Sequence, residues 1–203
     1  MRSAGLALVL TLGLAACAGS PNDGRVTLTD GSTARIWGDG DYGLVLVHDA
    51  GTDAAAWEPQ AVVFADEGMT VLAVEVTEPG AIEAAIGHLR DESGIERVAL
   101  LAAGEGSEPA FAVGRQRPEL VDQLIVISAA SSETADLGPF PKLFVASAEE
   151  AAAAEVERMA DDAPGDWNDI YLAAGAASGQ AVFDGDGGAA TLEAVLQRLA
   201  ERR

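Results

Sequence analysis

The chain has 203 residues, a length that suits one ordinary domain or two small ones and excludes a large multidomain enzyme. Twelve Lys and Arg stand against 33 Asp and Glu, a formal net charge of −21, so phosphate backbones and anionic headgroups are repelled and no nucleic-acid partner is expected. With 49% hydrophobic residues the chain can fill a sizeable core, which rules out general disorder.

In chain order, Arg2 gives a positive start, and Ala4 to Ala16 form an uncharged stretch shorter than the ~20 residues that span a bilayer. This pattern reads as a secretory signal. Its last residues, Leu14-Ala15-Ala16-Cys17, resemble the lipobox of bacterial lipoproteins. The resemblance implies cleavage before Cys17, the only cysteine, and lipidation there; the alternative is an ordinary signal cut at a nearby small residue. The expected organisation is a signal peptide over 1–16, a lipidated tether over 17–24 and one domain over 25–203. The protein would then be held by a lipid anchor at a membrane of the bacterial cell envelope. In lipoproteins sorted to an outer membrane, Ala18 in place of Asp favours that membrane.

From Arg25 onward, strand-like and helix-like periodicities alternate, the pattern of an α/β domain with a mostly parallel sheet. Val26 to Thr29 and Thr33 to Trp37 predict a hairpin about Asp30-Gly31-Ser32. Leu44–Val47, Val71–Val74, Val98–Leu101, Leu124–Ile127 and Leu143–Val145 are continuously apolar, as strands covered on both faces must be. Ile82, Ile86 and Leu89 mark a helix face, with His88 stepped off it to the surface or boundary. Further helices are predicted over Pro109 to Arg115 and Ala148 to Met159, and at Leu192, Val195, Leu196 and Leu199. A last strand is expected around Ile170-Tyr171-Leu172.

Ligands of open α/β sheets bind at the carboxyl ends of the strands, and four loops there carry a family resemblance. His48-Asp49-Ala50-Gly51, with Trp57 nine residues on, resembles the His-Gly oxyanion loop of α/β hydrolases. Ala102-Ala103-Gly104-Glu105-Gly106 stands in the slot of their G-x-S-x-G nucleophile elbow. Ala148-Glu149-Glu150 follows the strand that carries their acid, and Gly175-Ala176-Ala177-Ser178 with Phe183 resembles their Gly-x-x-His loop. The resemblance covers residues 25–203 and implies a three-layer α/β/α sandwich of the α/β-hydrolase type. The span between Ser128 and Lys142 is too short for a helical lid, so no cap domain and only a shallow cleft are expected.

The same resemblance assigns the backbone N–H groups of Ala50 and Glu105 to the oxyanion hole, Glu150 to the acid position and Ser178 to the base position. The chemistry is degenerate. Gly104 replaces the serine nucleophile, and Ser178 cannot exchange a proton near neutral pH. Asp49 and Glu105 put carboxylates beside the hole, unfavourable for a developing oxyanion unless the Asp49 side chain turns away. His48 is expected to hydrogen-bond its own loop, Ser107 to cap the helix after the elbow, and Glu149 and Glu150 to serve a helix first turn. Lys142, the only lysine, opens a strand at the end away from the cleft.

No cofactor or metal is expected. Pro109 stands where a dinucleotide fingerprint needs its third glycine. In Asp184-Gly185-Asp186-Gly187-Gly188, an EF-hand would need a ligand at Gly188 and Glu at Val195, so a turn into the last helix is expected instead. The sequence reads as a non-catalytic binding or scaffolding relative of the hydrolases. The alternative is a carboxylic-ester hydrolase working through a different constellation.

Overall fold

A computed structural model describes residues 24–131 and 133–201; the signal, lipobox and most of the tether lie outside the described residues. Eight strands form one sheet, β1 (Gly24–Thr27), β2 (Thr33–Trp37), β3 (Tyr42–Val47), β4 (Met69–Val74), β5 (Val98–Ala103), β6 (Gln123–Ile127), β7 (Lys142–Ser147) and β8 (Asn168–Ala173). Their order is β1-β2-β4-β3-β5-β6-β7-β8, with β1–β2 and β2–β4 antiparallel and every other pair parallel. Gly24, placed in the tether by sequence, is already paired with Ile36.

The five central apolar runs are strands because both faces are covered, and every residue of β3 to β7 is buried. Alternate side chains feed two cores. Val45, Leu72, Leu100, Val126 and Phe144 pack under α2 (Pro79–Asp91), α3 (Ser107–Gln116) and α4 (Ala153–Asp162). Leu46, Val71, Leu101, Ile125 and Val145 pack under α1 (Glu58–Asp66) and α5 (Gly188–Glu201). The expected three-layer sandwich is therefore present.

In α2, Pro79 starts the helix with a preset φ, and Ile82, Ile86 and Leu89 recur at helical spacing and are fully buried. Burying each of these side chains contributes about 1.5–3 kcal/mol, so a charge at Ile86 would break the helix from the sheet. His88 lies at the boundary, as its step around the helix requires.

Two elements differ from expectation. Helix α1 carries no clear apolar period, because Gln60 is buried while Val62 is 44% exposed. The helix expected over Ala148–Met159 begins at Ala153, since the preceding residues turn to aim Glu150 into the cleft. The β6–β7 connection carries no helix among the described residues; Leu137 and Phe140 fold inward onto the core instead of rising as a lid.

Candidate functional site

The carboxyl ends of β3, β5, β6 and β7, with the loop after β8, meet around an open hollow of about 540 Å³ lined by Asp49, Gly104, Glu105, Ser128, Glu150 and Ser178. All four loops singled out by sequence arrive there.

The elbow is preserved as backbone. Gly104 has φ +51°, the left-handed region where a side chain is strained, and its N-terminal neighbour Ala103 is extended, so the chain reverses sharply from strand into helix. Ser107 does not cap α3. Its buried hydroxyl donates to the Gly104 carbonyl at 2.6 Å and accepts from the Ala130 N–H at 3.2 Å, which pins the elbow to the loop after β6. The capping expectation fails because the helix enters through a 3₁₀ turn at Gly104–Gly106, which puts Ser107 inside the helical run.

The Asp49 side chain turns in rather than away. Its Oδ1 accepts from the Ala50 N–H at 2.7 Å and from the Glu105 N–H at 3.0 Å. These are the two donors the resemblance assigns to the oxyanion hole, and both are engaged by the Asp49 carboxylate. Asp49 also lies against two glycines. A Cβ built on Gly104 would stand 1.9 Å from Oδ1, and one built on Gly179 would stand 2.1 Å from Oδ2. A side chain at position 104 and the Asp49 carboxylate would share the same space, so a serine there would have to displace Asp49.

On the opposite wall, the Glu150 Oε1 accepts from the Ser178 hydroxyl at 2.5 Å, and Oε2 accepts from the Ser128 hydroxyl at 2.8 Å and the Ser147 N–H at 3.3 Å. The two residues that the resemblance puts at the acid and base positions are thus in contact, with the serine donating to the carboxylate. Glu150 precedes α4 and is held by these three donors, which corrects its reading as a first-turn helix residue. Ser128 carries the only positive φ outside glycine among the described residues, +50°, while its hydroxyl is tied to Glu150 and its N–H to the Val145 carbonyl. Nothing in the sequence marks it, because strain of this kind leaves no composition signal.

His48 is 9% exposed and does not line the hollow. Its Nδ1 donates to the Asp49 carbonyl at 2.9 Å, as expected of a loop-bracing ring, and Nε2 has no partner among the described residues. Asp53 caps a 3₁₀ turn at Ala54–Trp57 through the Ala55 N–H. That turn delivers the fully buried Trp57 edge-on to Phe183, with ring centroids 6.0 Å apart, so the two aromatics noted separately in the sequence pack against each other in the core under α1 and α5. Asp184–Gly187 turns into α5, which begins at Gly188, and no cluster of three or more His, Cys, Asp and Glu could hold a metal among the described residues.

No protein-family model and no curated sequence matches the chain. Solved structures do. An esterase from Exiguobacterium antarcticum superimposes with a TM-score of 0.65 at 13% identity, over 87% of this chain and 98% of that one. A monoacylglycerol lipase from Paleococcus ferrophilus gives 0.67 at 12% identity, over 84% and 98%. A protein from Thermoplasma acidophilum described as a predicted CIB-like hydrolase gives 0.64 at 16% identity, over 86% and 96%. The fold is that of the α/β hydrolases.

Proposed function

We propose that this protein is a non-catalytic α/β-hydrolase-fold lipoprotein of the bacterial cell envelope, with a binding or scaffolding role. The observation that supports it is the Asp49 carboxylate, held by the Ala50 and Glu105 N–H groups over Gly104. Ester hydrolysis through this cleft needs a nucleophile, a proton carrier and an empty pair of oxyanion donors. Here glycine, serine and an occupied hole stand in those places. The walls also carry Asp49, Glu105, Glu150 and Glu155 with no Lys or Arg, so a carboxylate product would be repelled and the hollow suits a neutral or cationic ligand.

The anchoring half of the proposal rests on Leu14-Ala15-Ala16-Cys17. Intact mass spectrometry of membrane-derived protein should find a lipidated amino-terminal Cys17; an unmodified cysteine or a different start overturns it. The non-catalytic half is tested on the purified protein with short acyl esters and a serine-reactive fluorophosphonate. Background hydrolysis and no labelling are expected. Hydrolysis that His48→Ala abolishes would establish an esterase with a different constellation instead.

A further inference from the structure

We propose that the outer edge of β8 is a docking site for a basic, extended polypeptide segment that adds to the sheet as a further strand. The two sheet edges are unlike. At one end, β1 is four residues long, starts with glycine and carries Arg25, features that blunt an edge. At the other, β8 is six residues long and contains neither proline nor lysine. It pairs only with β7 among the described residues, so its outer row of backbone donors and acceptors faces away from the sheet.

Beside that edge lies apolar surface continuous with the core. Phe144 and Ala146 of β7 are fully buried in the core beneath α4, and their register partners on β8 are Ile170 and Leu172. The alternate residues Tyr171 and Ala173 face the opposite core, so Ile170 and Leu172 share the α4 side but are only part-covered, 40% and 46% exposed. Trp167, just ahead of the strand, is 54% exposed. Only two other large apolar side chains, Val62 of α1 and Val76 in the loop after β4, are as exposed among the described residues, so the apolar exposure is concentrated at this edge.

Charge selects the occupant. The acids left beside this strip are Glu157 and Asp161 of α4 and Asp166 of the loop after it, all exposed, while the one arginine of α4, Arg158, lies on the helix side that faces α3 and the hollow, paired there with Glu155 and Asp162. A second copy would bring the same acidic rim and another net charge of −21, and an anionic bilayer would be repelled as well. A segment alternating basic and apolar residues meets both demands. Its backbone pairs with β8, its apolar side chains cover Ile170 and Leu172, and its cations face the rim.

The test uses the full chain in mild detergent and a short peptide alternating lysine and valine. Titration calorimetry should show binding, and hydrogen exchange should show new protection at 168–173. The Ile170→Thr, Leu172→Thr variant keeps the charge and the strand propensity and should weaken binding about tenfold; Leu172→Thr alone serves if the double variant does not fold. Equal binding by wild type and variant would reduce the effect to bulk charge and overturn the proposal. So would equal binding of the glutamate-for-lysine peptide, or no binding at all. A concentration-dependent dimer lost in the variant would assign the edge to a second copy instead.

Discussion

The two ends of the same strands solve opposite electrostatic problems. At the amino ends, Lys142 is fully buried and donates to the Phe140 and Pro164 carbonyls at 2.8 and 2.6 Å and to the Asn168 Oδ1 at 3.3 Å. Arg198, 4% exposed, pairs with Asp169 and donates to the Lys142 and Trp167 carbonyls. Cations there are sealed among backbone oxygens, and removing one strands its acceptors. At the carboxyl ends, carboxylates sit among backbone and hydroxyl donors at the rim of an open hollow, where water can replace a lost partner. The amino end carries stability, and the carboxyl end is free to change without loss of the fold.

The sharpest way to break that contrast is Lys142→Met, which leaves one buried and two part-buried acceptors without that donor and should cost about 3 kcal/mol in denaturant unfolding. Burial also lowers the lysine pKa from 10.5 to about 8. Between those values the unfolded chain holds a proton that the folded chain has released, so wild-type stability should rise from pH 8 toward 10.5. Below pH 8 the burial penalty is present in full. The Met variant lacks that rise, so the gap between the two proteins should widen in alkali; parallel curves would show that Lys142 titrates as an exposed lysine.

A smaller cost, about 2 kcal/mol, is expected for Gly104→Ala, whose Cβ strains a left-handed backbone and meets the Asp49 carboxylate. Part of it is steric, so Gly104→Ala in an Asp49→Gly background should cost less than in wild type. Additive losses in a double-mutant cycle would mean that Asp49 does not occupy the elbow.

The frame of the molecule was legible in its sequence because buried parallel strands write themselves as unbroken apolar runs, and because Gly104, Glu150 and Ser178 keep their spacing from those strand ends. Side-chain direction was not legible. Asp49 was placed beside the hole, but whether it turned in or out depended on the two N–H donors and two glycines that only folding brings around it. The late start of α4 and the unread α1 have the same origin: Glu150 answers to Ser128 and Ser178 across the cleft, and Gln60 is buried by tertiary contact, neither of which local periodicity records.

Asp49→Gly by itself should lower stability by about 1 kcal/mol or less, since its two donors return to water. If the hole is otherwise intact, acetate should then shift the amide resonances of Ala50 and Glu105 in the variant and leave them unmoved in wild type. Shifts in both proteins would mean that the carboxylate does not hold the site.

The weakest signal is expected from restoring the chemistry. A serine nucleophile needs a base in reach, and a base without a nucleophile has nothing to activate, so Gly104→Ser and Ser178→His should each leave ester hydrolysis at background. Even together they should stay inert, because the serine Cβ would enter the space of the Asp49 carboxylate, and the displaced carboxylate would crowd the new serine and keep its charge beside the Ala50 and Glu105 N–H groups. Adding Asp49→Gly removes both obstacles at once. The triple variant should show slow turnover of short acyl esters, with fluorophosphonate on the introduced serine, and the imidazole brought in by Ser178→His would find Glu150 already placed to orient it. Turnover by the double variant would show that Asp49 is no obstacle. A folded but inert triple variant would shift the defect to Glu105, whose carboxylate lies next to the second donor, and Glu105→Gln would then be the change that separates an occupied hole from a negatively charged one.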